Sequence, residues 1–135
     1  MSQVNTIYLI DDDQLSNHLN KLVIRKMDIN MDIKAFDQPL SALNTLQEIT
    51  TDNYSSFPEI ILLDVNMPVM DAWNFLDEYE KLPVSVLSKC KVFIVSSSID
   101  TQDIVKSKDY KSVNGFISKP LNTEKIYKIL LPDQE

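Results

Sequence analysis

Glycine is almost absent from this chain: Gly115 is the one glycine among 135 residues. Phosphate cradles of the Walker and dinucleotide types need several glycines at fixed spacing for close backbone approach, so both are excluded. Cysteine is as scarce. Cys90 alone forms no internal disulfide, and its setting in SKCKV, with no evident histidine partner, argues against a catalytic thiol. Basic charge is in deficit, with 13 Lys and Arg against 20 Asp and Glu, a net −7. Phosphate backbones attract basic surfaces, so direct nucleic-acid binding is not expected; a divalent cation or a basic protein patch suits this surface better. Long hydrophobic runs are missing too. No stretch approaches the roughly 20 apolar residues of a membrane span. The start, MSQVNT, lacks the charged and apolar regions of a signal peptide. The expectation is a cytoplasmic protein with no membrane partner.

What remains is ordinary globular material: 44% hydrophobic and 24% charged residues, enough for a single domain over 1–135 with a sizeable core. TIYLI (6–10) is a short, continuously apolar strand of the kind a sheet buries on both faces. Leu15, Leu19, Leu22, Val23 and Met27 follow helical spacing and predict a helix from about Gln14 to Lys26. MDIKAF (31–36) alternates like a strand nearer the sheet edge. Asp37 and Pro39 mark a helix start, continued by Leu40, Leu43, Leu46 and Ile49. TTDNYSSFP (50–58) reads as polar loop, EIILLD as a second buried strand, and NMPVMD as the loop before a helix carrying Trp73, Phe75, Leu76 and Tyr79. KLPVSVLSKC reads as mixed helix end and loop, and KVFIV (91–95) as another strand. Asp100 is suited to cap a weak helix over 101–111 anchored by Ile104 and Val105. GFIS (115–118) and a helix after Asn122, with Ile126, Ile129 and Leu130 inward, complete the chain.

Five strands alternating with five helices predict an α/β fold, a parallel sheet covered on both faces. Ligands of such sheets bind outside the carboxyl ends of the strands. Strand one ends in Asp11-Asp12-Asp13, strand three in Asp64, strand four in Ser96-Ser97-Ser98, and strand five in Ser118-Lys119-Pro120. Acidic helix caps, loop serines and a strand-ending Lys-Pro each have a structural explanation alone. Their agreement on one edge points to chemistry.

The motifs LIDDD, ILLDVNMPVMD, FIVSSS and GFISKP, in this order, resemble the response-regulator receiver domain of two-component signalling across nearly all of 5–131. The resemblance implies a doubly wound (βα)5 flavodoxin-like fold with strand order 2-1-3-4-5. Chemotaxis receivers of the same family have that order, so it is expected by likeness alone. Asp64 matches the phosphoacceptor. Asp11 and Asp12, with Asp64 and the backbone carbonyl of Asn66, match the ligands of Mg2+, for which Mn2+ is an acceptable substitute. Ser96 and Lys119 match the groups that bind the phosphoryl group, Phe116 the aromatic switch, and Lys119–Pro120 a cis peptide.

The residue types suit that chemistry independently, since Mg2+ prefers hard oxygen ligands and phosphoryl transfer needs positioning and charge neutralisation. The implied partners are a sensor histidine kinase or histidine phosphotransfer protein and an undefined downstream protein. The implied role is a stand-alone phosphoacceptor without an output domain, catalysing its own phosphoryl transfer and slow dephosphorylation rather than turning over another substrate.

Some positions depart from the family pattern. Ala72 and Ser112 stand where glycine is usual, and Phe116 lacks the phenol of a tyrosine. Asn66 and Ser98 occupy positions that in the family modulate phosphate lifetime. A haloacid-dehalogenase-type phosphatase would need a second aspartate at Asn66. A degenerate receiver acting as a plain binding module would not need all of Asp11, Asp12, Asp64, Ser96 and Lys119. His18 is expected on the first helix, at a core edge or the surface, rather than as a phosphohistidine. The face built from the fourth helix, fifth strand and fifth helix is the expected partner surface.

Overall fold

The computed structural model describes residues 6–27, 31–52, 56–65, 67, 70–97 and 100–130. Asn66 and Ser98 lie outside them. Short apolar runs form the centre of the molecule. β1 (Thr6–Ile10) and β3 (Ile60–Asp64) are buried at every residue, as strands covered on both faces must be. β4 (Lys91–Ser96) lies beside β3, β5 (Val113–Ser118) forms one edge, and the alternating β2 (Asp32–Phe36) forms the other. All neighbours are parallel, in the order β2-β1-β3-β4-β5. The fold is the doubly wound flavodoxin-like sandwich.

The helices are α1 (Gln14–Arg25), α2 (Pro39–Asp52), α3 (Ala72–Tyr79), α4 (Val84–Leu87), α5 (Thr101–Ser107) and α6 (Thr123–Leu130). One apolar layer includes Tyr8, Leu43, Leu46, Phe75, Tyr79, Val86 and Ile94; the other includes Leu9, Ile24, Leu62, Ile117, Ile126 and Ile129. None of these helices is long and apolar enough to cross a membrane.

Several expectations are corrected. There are six helices among the described residues, because KLPVSVLSKC closes a short turn, α4, that buries Val86. α2 runs on to Asp52, and Phe57, in the stretch expected to be polar loop, is core, its ring 6.5 Å from that of Tyr79. β5 begins two residues before GFIS.

α5 stops at Ser107, well short of Lys111, and exposes both expected anchors, Ile104 and Val105. Its end is held from outside. Ser112 donates to Glu80 Oε2 through its amide at 2.8 Å and its hydroxyl at 2.6 Å. Tyr110 donates to Asp77 Oδ1 at 2.7 Å and stacks on Trp73. Side chains tie this connection to α3 and its end, and a glycine at 112 would lack the hydroxyl that takes part.

α1 is present over the expected span, but it does not bury the leucines that mark it. Leu15, Leu19 and Leu22, which mark the helix by their spacing, are 63%, 51% and 41% exposed. The residues it buries are Asn17 and Ile24, with Met27 just beyond its end. Periodicity identified the helix but not its inner face.

Even the lone glycine is not demanded by the backbone. Gly115 does not have positive φ. A Cβ there would meet the Phe93 ring at 3.6 Å, an ordinary contact. Gly115→Ala is therefore expected to stabilise by about 0.5 kcal/mol through the unfolded chain, seen as a higher urea midpoint. A lower midpoint would mean that Phe93 cannot give way.

Candidate functional site

The strand ends converge as the register dictates. Ile10 pairs with Leu63, so Asp11 leaves β1 beside Asp64 at the end of β3. Asp11 N donates to Phe36 O at 3.0 Å, which holds the chain as it exits the sheet. Asp64 pairs with Val95, placing Ser96 next on β4, and Ser96 pairs with Ser118. Lys119 N then donates to Ser96 O at 2.8 Å, turning the lysine back over the edge. Its Nζ lies 2.9 Å from Asp11 Oδ2 and 3.1 Å from Asp64 Oδ1. The Lys119–Pro120 peptide is cis.

Asp11, Asp64 and Ser96 are buried, while Asp12 is exposed at the mouth. Carboxylate oxygens of the three aspartates lie within 4.8 Å of one another. Two buried carboxylates and one at the mouth make a hard-oxygen donor set that fits Mg2+. The Lys119 ammonium inserted between Asp11 and Asp64 underlines how much that charge calls for a cation. Asp13 belongs to a different task. Its Oδ1 accepts from the amides of Leu15 at 3.0 Å and Ser16 at 3.4 Å, so it is the N-cap of α1. Its own amide donates to Asp11 Oδ1 at 3.0 Å, binding cap to site.

The electrostatics follow from crowding. Burial, then the charge of Asp11, pushes the Asp64 carboxyl above its ordinary range, and the Lys119 ammonium pulls it part of the way back. Burial alone would lower Lys119. Its hydrogen bond to Asp11 and the charges of Asp11 and Asp64 outweigh that, so it is held above its usual value and stays an ammonium. Cys90 is pushed up to about 12, chiefly by burial, and stays a protonated core thiol.

Asp11, Asp12, Asp64 and Lys119 are thus brought together, with Ser96 adjoining in register. Phe116 is half-buried beside Ile94 and packs on the apolar layer that includes Tyr8 and Phe75. His18 is exposed and lines a groove with Gln14, Lys21 and Asp37.

Two supporting residues were not singled out from the sequence. Lys125, on α6, donates to Ser118 O at 2.8 Å, Ser118 Oγ at 3.0 Å and Pro120 O at 3.0 Å, bracing the turn that carries Lys119. A lysine on an amphipathic helix gives no sign of that. Asn17 Nδ2 donates to Asp11 O at 2.9 Å and Phe36 O at 3.2 Å. Its signal was a polar residue on the face α1 turns inward, visible only once that face is known.

Residues 7–131 match the family of the response regulator receiver domain, and the chain belongs to it. Among curated relatives, the response regulator Rcp1 of Synechocystis sp. is 26% identical over 92% of this chain and 82% of its own length. A two-component response regulator from Cytophaga hutchinsonii is 29% identical, with a TM-score of 0.84 covering 97% of this chain and 99% of that one. One from Legionella pneumophila is 25% identical, with a TM-score of 0.79 over 98% and 100%. The protein is a response-regulator receiver domain of the two-component systems.

Proposed function

We propose that Asp64 accepts a phosphoryl group from a phosphohistidine on a sensor histidine kinase or phosphotransfer protein. The observation that carries this is the ammonium of Lys119 set between Asp11 Oδ2 and Asp64 Oδ1 at the mouth of a buried acidic cluster. An Asp64 oxygen attacks phosphorus in line with the leaving group. The O–P bond forms as the P–N bond breaks, and the bonding pair leaves on the imidazole nitrogen. Asp64 is the nucleophile in its ionised form, so no general base is required.

Lys119 contributes positive charge toward the equatorial oxygens, and the Ser96 hydroxyl a hydrogen bond. Asp11, Asp12 and Asp64, with the Asn66 carbonyl that the family likeness adds, would hold Mg2+, which would supply further charge neutralisation. The product is an aspartyl phosphate that hydrolyses slowly, so the chain acts on itself rather than on a turnover substrate.

The new dianion competes with Asp11 for Lys119 and draws Ser96 toward it. Phe116, already against the β4 side of the apolar layer, turns inward, and the α5 face shifts between two packings. A downstream protein reads that face. The donor approaches beside α1, which starts three residues after Asp11 and presents Leu15, Leu19 and Leu22 to solvent. An apolar stripe next to the acid cluster suits a helical partner.

Incubation with acetyl phosphate and Mg2+ is expected to add one phosphoryl group by intact mass. Asp64→Ala, or removal of Mg2+ with a chelator, is expected to abolish the adduct. An unlabelled wild-type protein, or a labelled Asp64→Ala variant, would overturn the proposal.

A further inference from the structure

On the α1-facing side of the sheet, directly under the acid cluster, lies a cavity of about 10 Å3. Asp11, Asn17, Asn20 and Asp64 line it together with Leu9, Ile10, Leu62 and Val95. Asn17 is 5% exposed, and its Nδ2 is committed to the carbonyls of Asp11 and Phe36. Its Oδ1 is fully buried and has no hydrogen-bond partner among the described residues. An unsatisfied buried acceptor is costly, and native folds rarely tolerate one. The amide cannot be turned round to cure this, because its nitrogen would then abandon two carbonyls. Oδ1 is screened from outer solvent, and the cavity that Asn17 lines offers room for a partner.

We propose that this cavity binds a single internal water molecule, and that Asn17 and Asn20 are positioning residues that hold it beneath the phosphoacceptor. A cavity of roughly 10–15 Å3 is the least that holds one water, and two to four polar partners are needed to keep it. Asn17 Oδ1 accepts one water proton and a carboxylate of the Asp11–Asp64 pair accepts the other. The Asn20 amide donates to the water oxygen. α1 is thereby joined through the water to the Asp11–Asp64 pair, restraining the carboxylates around the oxygen that must meet phosphorus in line. The role in transfer rests on the function proposed above; the water itself does not.

Two measurements test this. A high-resolution crystal structure of the wild-type protein is expected to show one ordered water within hydrogen-bond distance of Asn17 Oδ1 and of the Asp11 or Asp64 carboxylate. A protein atom at that position, or no density, overturns the site. Asn20→Leu fills the cavity from α1. It is expected to lower the urea midpoint, because Asn17 Oδ1 loses its partner, and to slow labelling of the folded protein by acetyl phosphate ~10-fold, in the range for residues that support a reacting group through another. An unchanged rate, or a slower rate fully matched by loss of folded protein, overturns the positioning role. Should that variant not fold, Asn20→Ala removes the same amide without added bulk, and the same comparison decides. If wild type takes up no phosphate while the water is present, the proposed function fails and the water site stands.

Discussion

Asp64→Asn is expected to lose the phosphate adduct completely and yet unfold at higher urea. Burial and the charge of Asp11 raise the Asp64 carboxyl above its ordinary value of 3.8. The folded state therefore binds that proton more tightly than the unfolded state does. The sign follows from linkage: ionised Asp64 costs stability at every pH above its folded pKa. That cost fades as pH falls from the folded pKa to the unfolded one. An amide of the same shape carries no charge to desolvate. In chelated buffer at pH 7 the gain should be about 0.5–2 kcal/mol, the usual size of a single stabilising substitution. The gain should shrink as pH approaches 3.8. A less stable Asp64→Asn would mean that the Lys119 contact outweighs the burial of the charge.

Lys119→Met should have the opposite sign. Its ammonium is the positive group shared by Asp11 and Asp64. Removing one partner of a buried ionic cluster leaves the others uncompensated, at a cost of about 3 kcal/mol for a lysine that keeps some exposure. Because Lys119 is held above its ordinary 10.5, its contribution is fully present across neutral pH and is lost as pH rises through the folded pKa. The wild type should therefore lose this increment only in alkaline buffer, and Lys119→Met should lack it throughout. Mg2+ should recover much of the stability, since a cation that binds only the folded state stabilises by mass action. It should not recover the rate, because the donor for the phosphoryl oxygens is gone. Labelling should slow ~100-fold, as when one charge-stabilising donor is removed from an enzyme site. Urea titration with and without Mg2+, beside intact-mass kinetics, checks both halves. An equal midpoint for the variant and wild type without Mg2+ would show that the carboxylates tolerate each other unaided.

These opposite signs show how the site is arranged. Asp64 is held at a cost, and Lys119 offsets part of it. Asn17 and Lys125 act a step further out: Asn17 binds the exits of β1 and β2, and Lys125 binds the turn after β5.

The chain by itself determined the sheet and the edge where its chemistry sits. Runs such as TIYLI and IILLD have no polar side to show to water, so they belong in a sheet covered on both faces. Strict alternation with helices makes such strands parallel, which brings every carboxyl end to one edge. The aspartates, Ser96 and Lys119 could therefore be grouped from spacing alone.

Only the tertiary structure decided which faces are buried and which carboxylate does what. Spacing in α1 shows an apolar stripe but not what it faces, and here Leu15, Leu19 and Leu22 meet solvent while Asn17 meets the site. α5 ends early because side chains of α3 and its C-cap, distant in sequence, hold the segment after it. In LIDDDQL, three adjacent aspartates share one charge and one composition, so sequence cannot rank them. Backbone direction at the end of β1 does: Asp11 turns under the edge, Asp12 stays at the mouth, and Asp13 caps α1. Identity along a chain is local, whereas burial and partnership are set by residues that arrive from elsewhere.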